Sequence, residues 1–331
     1  MTLNCTLLDD YQNVALTLAD WSSLQPTVQT RSLQQHIADD EPLIAALADS
    51  DILVAMRERT PLTAARLARP PPPRRPPVGA PLPRLKLIVT SGMRNAAIDL
   101  EACRARGIAV CGTESSSAPP LELTWGLLLA LARHIVAENQ ALRSNGPWQQ
   151  HLGIGLEGKT LGLIGLGKIG GGMAKVAQAF GMRVCAWSQN LTAGRAAQCG
   201  ASLMPSLQAL LAASDVVSIH LVLSERTHHL LDGAALAQMK PGALLVNTSR
   251  AGLVDQQAMI AALRSGQLAG AALDVFDTEP LPADHPLRQL PNVLATPHLG
   301  YVADSNYRRY FTQAVEDIAA WLQHQPLRSL L

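Results

Sequence analysis

The stretch from Thr160 to Phe180, "TLGLIGLGKIGGGMAKVAQAF", constrains the fold more than any other part of the chain. An apolar, strand-like run leads into glycines at 165, 167 and 170, and a helical pattern follows at once. The G-x-G-x-x-G spacing is weak evidence alone; a strand before it and a helix after it supply the context that gives it meaning. The first glycine permits a tight turn, and the second lets the backbone approach a pyrophosphate at the helix N-terminus. Gly165, Gly167, Lys168, Ile169 and Gly170 are therefore candidate dinucleotide-binding residues.

The surrounding text repeats the same rhythm. "CTLLDD", "DILVAM", "LKLIVTS" and "IAVCGT" read as strands in the first third, with helices "EPLIAALADS" and "PLTAARLA" between them; Thr60–Pro61 reads as an N-cap and first helical residue. After Thr160, strands "TLGLIGL", "RVCAWS", "VVSIHLVL", "ALLVNTS", "AGAALDV" and "NVLAT" alternate with further helices. Such alternation implies α/β architecture, with two doubly wound parallel-sheet domains. A single helix, apolar almost all round, is expected from about Pro120 to Arg143, buried between domains or subunits. One segment breaks the pattern: "RPPPPRRPPVGAPLPR", from Arg69, holds eight prolines and reads as a polyproline surface loop, an insertion over 70–84.

With 331 residues, two domains are expected, and at 48% hydrophobic and 4% aromatic residues the core must be mostly Leu, Ala, Val and Ile. The net charge of +1 and the lack of a Lys/Arg block argue against nucleic acid. The apolar run Trp125–Ala132 is too short to cross a bilayer, and the N-terminus has no signal-like core, so no membrane and a cytoplasmic location are expected. Cys5, Cys103, Cys111, Cys185 and Cys199 are scattered without ligand spacing, so no metal is expected. His228 and His229 are adjacent, which predicts rings that point apart on the surface.

Ser188 lies 18 residues past Gly170, close to the ~20-residue offset at which an acidic residue commonly binds the ribose 2′-hydroxyl. Serine can hydrogen-bond that hydroxyl but does not repel a 2′-phosphate. "WSQN" thus leaves NAD and NADP both open, and Arg195 is near in sequence with no direction readable. Arg250, Asp274, Glu279 and His298 follow the ends of successive strands. Ligands of open α/β sheets bind outside the carboxyl ends of strands, so these side chains are placed to converge with a dinucleotide. Arginine offers a fork to a carboxylate, and histidine is a general acid/base near neutral pH.

At this point the chain resembles the D-2-hydroxyacid dehydrogenase family over nearly its whole length. The motifs are "RERTPLT" (57–63), "VTSGMRNAAIDL" (89–100), "ELTWGLLLALARHI" (122–135), "GKTLGLIGLGKIG" (158–170), "MKPGALLVNTSRAGLVD" (239–255), "GAALDVFDTEPLP" (270–282) and "TPHLG" (296–300). The resemblance implies a flavodoxin-like substrate domain, residues 1–115 and 301–331, and a Rossmann NAD(P)-binding domain, residues 116–300. It implies that Arg250 binds the substrate carboxylate and polarises the carbonyl, that His298 donates a proton to the carbonyl oxygen, and that Glu279 pairs with His298. Asp274 would hold the nicotinamide carboxamide, with Thr248 and Ser188 also at the cofactor. Amides around Ser91 and Gly92 would cradle the substrate carboxylate, with Arg59 reaching it from the domain edge. The substrate would be a small 2-oxo or D-2-hydroxy acid such as glyoxylate or hydroxypyruvate. Closing domains and a homodimer formed through the cofactor domain are also implied; the chain ends soon after the closing helix, so no regulatory C-terminal domain is expected. Ser188 departs from the family's common aspartate, and Ala251 stands where glycine is frequent. Formate dehydrogenases share the fold but carry glutamine where this chain has Glu279. An NAD-sensing, corepressor-like interaction protein is the alternative, to be separated from an enzyme by turnover rate.

Overall fold

A computed structural model describes residues 2–67, 82–325 and 327–331. Most of the proline-rich insertion, residues 70–81, lies outside the described residues. The chain divides into two compact units, Met1–Ser116 with Ala303–Leu331, and Ser117–Val302.

The first unit has five parallel strands: β1 (Leu3–Leu7), β2 (Val28–Ser32), β3 (Ile52–Ala55), β4 (Leu87–Thr90) and β5 (Ala109–Gly112), in the order β2-β1-β3-β4-β5. That is a doubly wound order whose direction reverses between β1 and β3. β3 and β4 are buried at every position, as short apolar runs covered on both faces should be. Helices α1 (Asp40–Leu47), α2 (Ala64–Leu67) and α3 (Leu100–Arg106) belong to this unit, and α3 is capped by Asp99, whose side chain accepts from the Ala102 amide. Thr60 is not the expected cap: its hydroxyl donates to Asp9 Oδ2 at 2.6 Å, and α2 starts only at Ala64. β2, "VQTRS", was not among the expected strands, because its alternating, largely polar pattern marks a half-buried sheet edge.

The second unit begins with α4 (Ala118–Ala132) and α5 (Ile135–Arg143). It continues through β6 (Thr160–Ile164), α6 (Lys168–Ala179), β7 (Arg183–Trp187), α7 (Ala193–Gln198), β8 (Ser202–Leu203), α8 (Leu207–Ala213) and β9 (Val216–Ile219). After α9 (Gly233–Ala237) come β10 (Ala243–Asn247), α10 (Gln256–Ser265), β11 (Leu268–Leu273) and β12 (Val293–Ala295). The seven strands are all parallel, in the order β12-β11-β10-β9-β6-β7-β8, which reverses between β6 and β9. Helix α11 (Asp304–Leu322) returns to the first unit, where it buries Tyr307, Tyr310, Phe311 and Ile318.

The single helix expected after Pro120 is instead two, bent by 64°. His134 takes a left-handed φ of 52°, and the Ala132 carbonyl accepts from the Ile154 amide instead of continuing the helix. α4 buries Trp125, Leu127 and Leu128, whereas α5 buries only Ala141. Most of the burial expected of the whole segment is therefore confined to α4, and Ile135, Val136 and Leu142 of α5 are exposed. Among the described residues no single helix is long and apolar enough to cross a membrane. The His228 and His229 rings are exposed but do not point apart: they stack with centroids 3.9 Å apart, because His229 has a φ of 49°.

Candidate functional site

β6 carries the chain to the point where the strand order reverses, and the glycine turn follows. Gly165 has a φ of 97°, and a Cβ there would lie 2.5 Å from the His220 carbonyl oxygen. A Cβ on Gly170 would strike the Gly165 carbonyl, whereas one on Gly167 would meet nothing within 4 Å. Gly167 is also the N-cap of α6 and supplies no side-chain acceptor to the first-turn amides, which include those of Lys168 and Ile169. An open backbone face before uncapped amides is what a pyrophosphate requires, so these residues fit a dinucleotide. His220, at the end of β9, was not anticipated. Its Nε2 is 2.9 Å from Ser218 Oγ, and burial pushes its pKa down to about 4, so it is neutral at pH 7. A lone histidine after a strand carries no sequence signal of that burial.

Ser188 follows β7 and is half-buried. Thr248 follows β10; its hydroxyl is 2.7 Å from that of Thr124, which itself donates to the Pro120 carbonyl. Thr248 is therefore the donor of that pair. Ser249 Oγ donates to Ile219 O at 2.6 Å, tying the end of β10 to the end of β9. Asn247 closes the next turn: its Nδ2 donates to the Arg250 carbonyl and its Oδ1 accepts from the Ser249 amide. Arg250 thus leaves the turn with extended backbone, and its Nη1 donates to Ser249 O at 2.8 Å.

Asp274, at the end of β11, is fully buried. Its Oδ1 accepts from Thr296 Oγ1 at 2.6 Å and the Leu299 amide at 2.7 Å; its Oδ2 accepts from the Gly300 amide at 2.8 Å. One carboxylate thereby holds both sides of the turn carrying His298, whose φ is 54°. Burial raises the pKa of Asp274 despite these bonds. Glu279 Oε1 accepts from the Phe276 amide at 2.9 Å, and its Oε2 is 2.7 Å from His298 Nδ1. A carboxylate only accepts, so Nδ1 carries the hydrogen and Nε2 is the free working nitrogen. Burial pushes the Glu279 pKa up, but the hydrogen bond and charge of His298, with the Phe276 amide and Arg250, outweigh it and hold the group below its ordinary value. Tyr301 packs edge-on against the His298 ring, centroids 5.4 Å apart.

In the first unit, Ser91 and Gly92 sit at the carboxyl end of β4. Their expected role as amide donors meets an obstacle. The Ser91 amide donates to Ala55 O, and the Gly92 amide donates to Thr113 Oγ1 at 3.0 Å. What the loop presents is Arg57, whose Nη1 donates to Ser91 O at 3.2 Å and lies where a Gly92 side chain would be. Arg57 has a φ of 52°, and its amide donates to Ser91 Oγ. Arg59 turns away, donating to Asp9 O at 2.8 Å with its guanidinium 4.4 Å above the Tyr11 ring. "RERT" shows both arginines; only the left-handed turn at Arg57 decides which one faces Gly92. Among the described residues no cluster of three or more His, Cys, Asp or Glu could hold a metal ion.

The sequence model of the D-isomer specific 2-hydroxyacid dehydrogenase NAD-binding domain matches residues 125–300. The chain belongs to the D-isomer specific 2-hydroxyacid dehydrogenase family. It is an NAD-linked oxidoreductase of that family, acting on the CH–OH group of 2-hydroxy acids. A glyoxylate reductase of Aeropyrum pernix is 38% identical over 250 residues, covering 73% of this chain and 74% of that one. A D-3-phosphoglycerate dehydrogenase of Methanocaldococcus jannaschii is 36% identical over 281 residues, covering 84% of this chain and 51% of its own. The chain spans about half the length of the phosphoglycerate dehydrogenases it matches. The solved phosphoglycerate oxidoreductase of Vibrio cholerae superposes with a TM-score of 0.90 at 36% identity, covering 98% of this chain and all of that one.

Proposed function

We propose that this member of the family reduces a small 2-oxo acid of the glyoxylate or hydroxypyruvate kind to its D-2-hydroxy acid, and that Arg250, Glu279 and His298 are its catalytic residues. The observation that carries this is the 2.7 Å His298–Glu279 pair, in the same unit as a glycine turn open to a dinucleotide. Gly165, Gly167, Lys168, Ile169, Gly170, Ser188, Thr248 and Asp274 hold the dinucleotide, NAD or NADP, which supplies or accepts the hydride. His298 Nε2 gives a proton to the carbonyl oxygen as negative charge grows there, a contribution of roughly 10²–10⁴ in rate. Glu279 fixes the ring and its Nδ1–H. Arg250 binds the substrate carboxylate through its planar fork. Asp274 keeps the His298 turn in place, and one lone pair of Oδ2 is left over for a further donor.

Initial rates with glyoxylate and hydroxypyruvate, with NADH and NADPH in parallel, test the activity. His298→Ala should lose about 10²–10⁴-fold in turnover while binding dinucleotide as before. Unchanged turnover would remove His298 from the mechanism, and no turnover by folded wild type on any small 2-oxo acid would remove the substrate assignment.

The protein is also proposed to be a cytoplasmic homodimer joined through the second unit. Ile135, Val136, Leu142, Trp148 and Leu152 are exposed on and after α5, with Trp148 78% accessible, and Ile135, Leu142 and Trp148 line a groove of about 480 Å³. So much apolar surface in one place suits a second copy of the chain. Leu142→Glu with Trp148→Glu should sediment as a monomer; a wild type that is monomeric at micromolar concentration would end this reading.

A further inference from the structure

Cofactor choice rests on what surrounds the ribose. In this fold an acidic residue after the second strand selects a free 2′-hydroxyl, and a nearby arginine accommodates a 2′-phosphate. The residue after β7 is Ser188. Arg195 stands on α7, whose N-cap Thr192 accepts the Arg195 amide. Its side chain crosses to the glycine turn, where Nε donates to Leu166 O at 3.0 Å and Nη2 to Gly167 O at 3.2 Å. Both acceptors are neutral carbonyls, and among the described residues no ion pair neutralises the exposed guanidinium beside the turn. The wider setting points the same way. Between Glu157 and Asp215 the chain has no acidic residue, yet it carries Lys159, Lys168, Lys175, Arg183 and Arg195. This stretch comprises β6, α6, β7, α7, β8 and α8, the half of the sheet beside the glycine turn.

We infer that Ser188 and Arg195 make this a 2′-phosphate-accepting site, so that the enzyme binds NADPH more tightly than NADH; the inference rests on the dinucleotide site described above. A phosphate brings about 1.5–2 negative charges; the stretch from β6 to α8 holds no carboxylate to oppose it, and one guanidinium is placed to meet it. The test uses 2′,5′-ADP and 5′-ADP as probes, which differ only in the 2′-phosphate and take no part in hydride transfer. Titration calorimetry on the intact protein should show tighter binding of 2′,5′-ADP, with a margin that narrows as salt rises. Arg195→Ala should weaken 2′,5′-ADP by about tenfold to a hundredfold, the worth of one charge-assisted hydrogen bond, and 5′-ADP by no more than about twofold. Arg195→Lys should recover part of the loss, and Ser188→Asp should weaken 2′,5′-ADP selectively. Equal loss of both probes in Arg195→Ala would make Arg195 a brace of the glycine turn and overturn the inference, as would a wild type that prefers 5′-ADP. Failure of folded wild type to bind either probe would overturn the dinucleotide site itself.

Discussion

Asp274→Asn examines the tie beneath His298. Asparagine can keep the two bonds on Oδ1, from Thr296 and Leu299, but its amide nitrogen then faces the Gly300 N–H, donor against donor. Losing one charge-assisted bond costs about 1.5–3 kcal/mol, and the two that remain weaken by roughly half when the acceptor becomes neutral. Removal of a buried charge, the charge whose burial raises the Asp274 pKa, offsets part of this. The expected net destabilisation is about 2–4 kcal/mol. Urea unfolding followed by tryptophan fluorescence would read it as a lower midpoint at unchanged slope. Turnover should fall as well, because the left-handed turn at His298 loses its anchor. A variant within about 0.5 kcal/mol of wild type and of equal turnover would refute the claim that Asp274 holds this turn.

Glu279→Gln keeps the size of the side chain but lets either an oxygen or a nitrogen face His298 Nδ1, so turnover should drop by at least about tenfold, read from initial rates. The low pKa of Glu279 also has a sign: it contributes stability above its unfolded value of 4.5 that is lost as pH falls through the lower folded value. Urea midpoints of Glu279→Gln should therefore fall less than those of wild type below pH 4.5. Asp317 acts in the opposite sense. It is fully buried against Arg328, and burial raises its pKa from 3.8 to about 6, so the stability it contributes at acid pH is lost as pH rises through about 6. Asp317→Asn should flatten that part of the stability profile, and an unchanged profile would exclude Asp317 as its source. Gly165→Ala places a methyl group 2.5 Å from a backbone oxygen at a φ of 97°. It should cost at least about 1–2 kcal/mol in thermal stability and abolish dinucleotide binding, measured by calorimetry.

How much of this was legible in the chain follows from the range of each interaction. The glycine turn was readable because its G-x-G-x-x-G spacing lies within one strand–turn–helix, although the contact that bars a side chain at Gly165 comes from His220 at the end of β9. Arg250, Asp274, Glu279 and His298 were readable as candidates because a parallel sheet delivers every strand end to one edge, whatever the loops do. Two βα series were readable from apolar runs buried on both faces, while β2 was not, since a half-polar edge strand resembles a loop.

By itself, then, the sequence determined the fold class, the dinucleotide turn and which polar side chains stand at strand ends, because these depend on local spacing and period. Tertiary structure alone decided directions. It set Glu279 2.7 Å from a histidine 19 residues away, buried Asp274 under that histidine's turn, and drew Arg195 across to the glycine carbonyls. It also bent the helix at His134 and chose Arg57 over Arg59 for the Gly92 loop, both through left-handed backbone at non-glycine residues. Such conformations are locally unfavourable, so no local pattern announces them; the packed chain around them holds them in place.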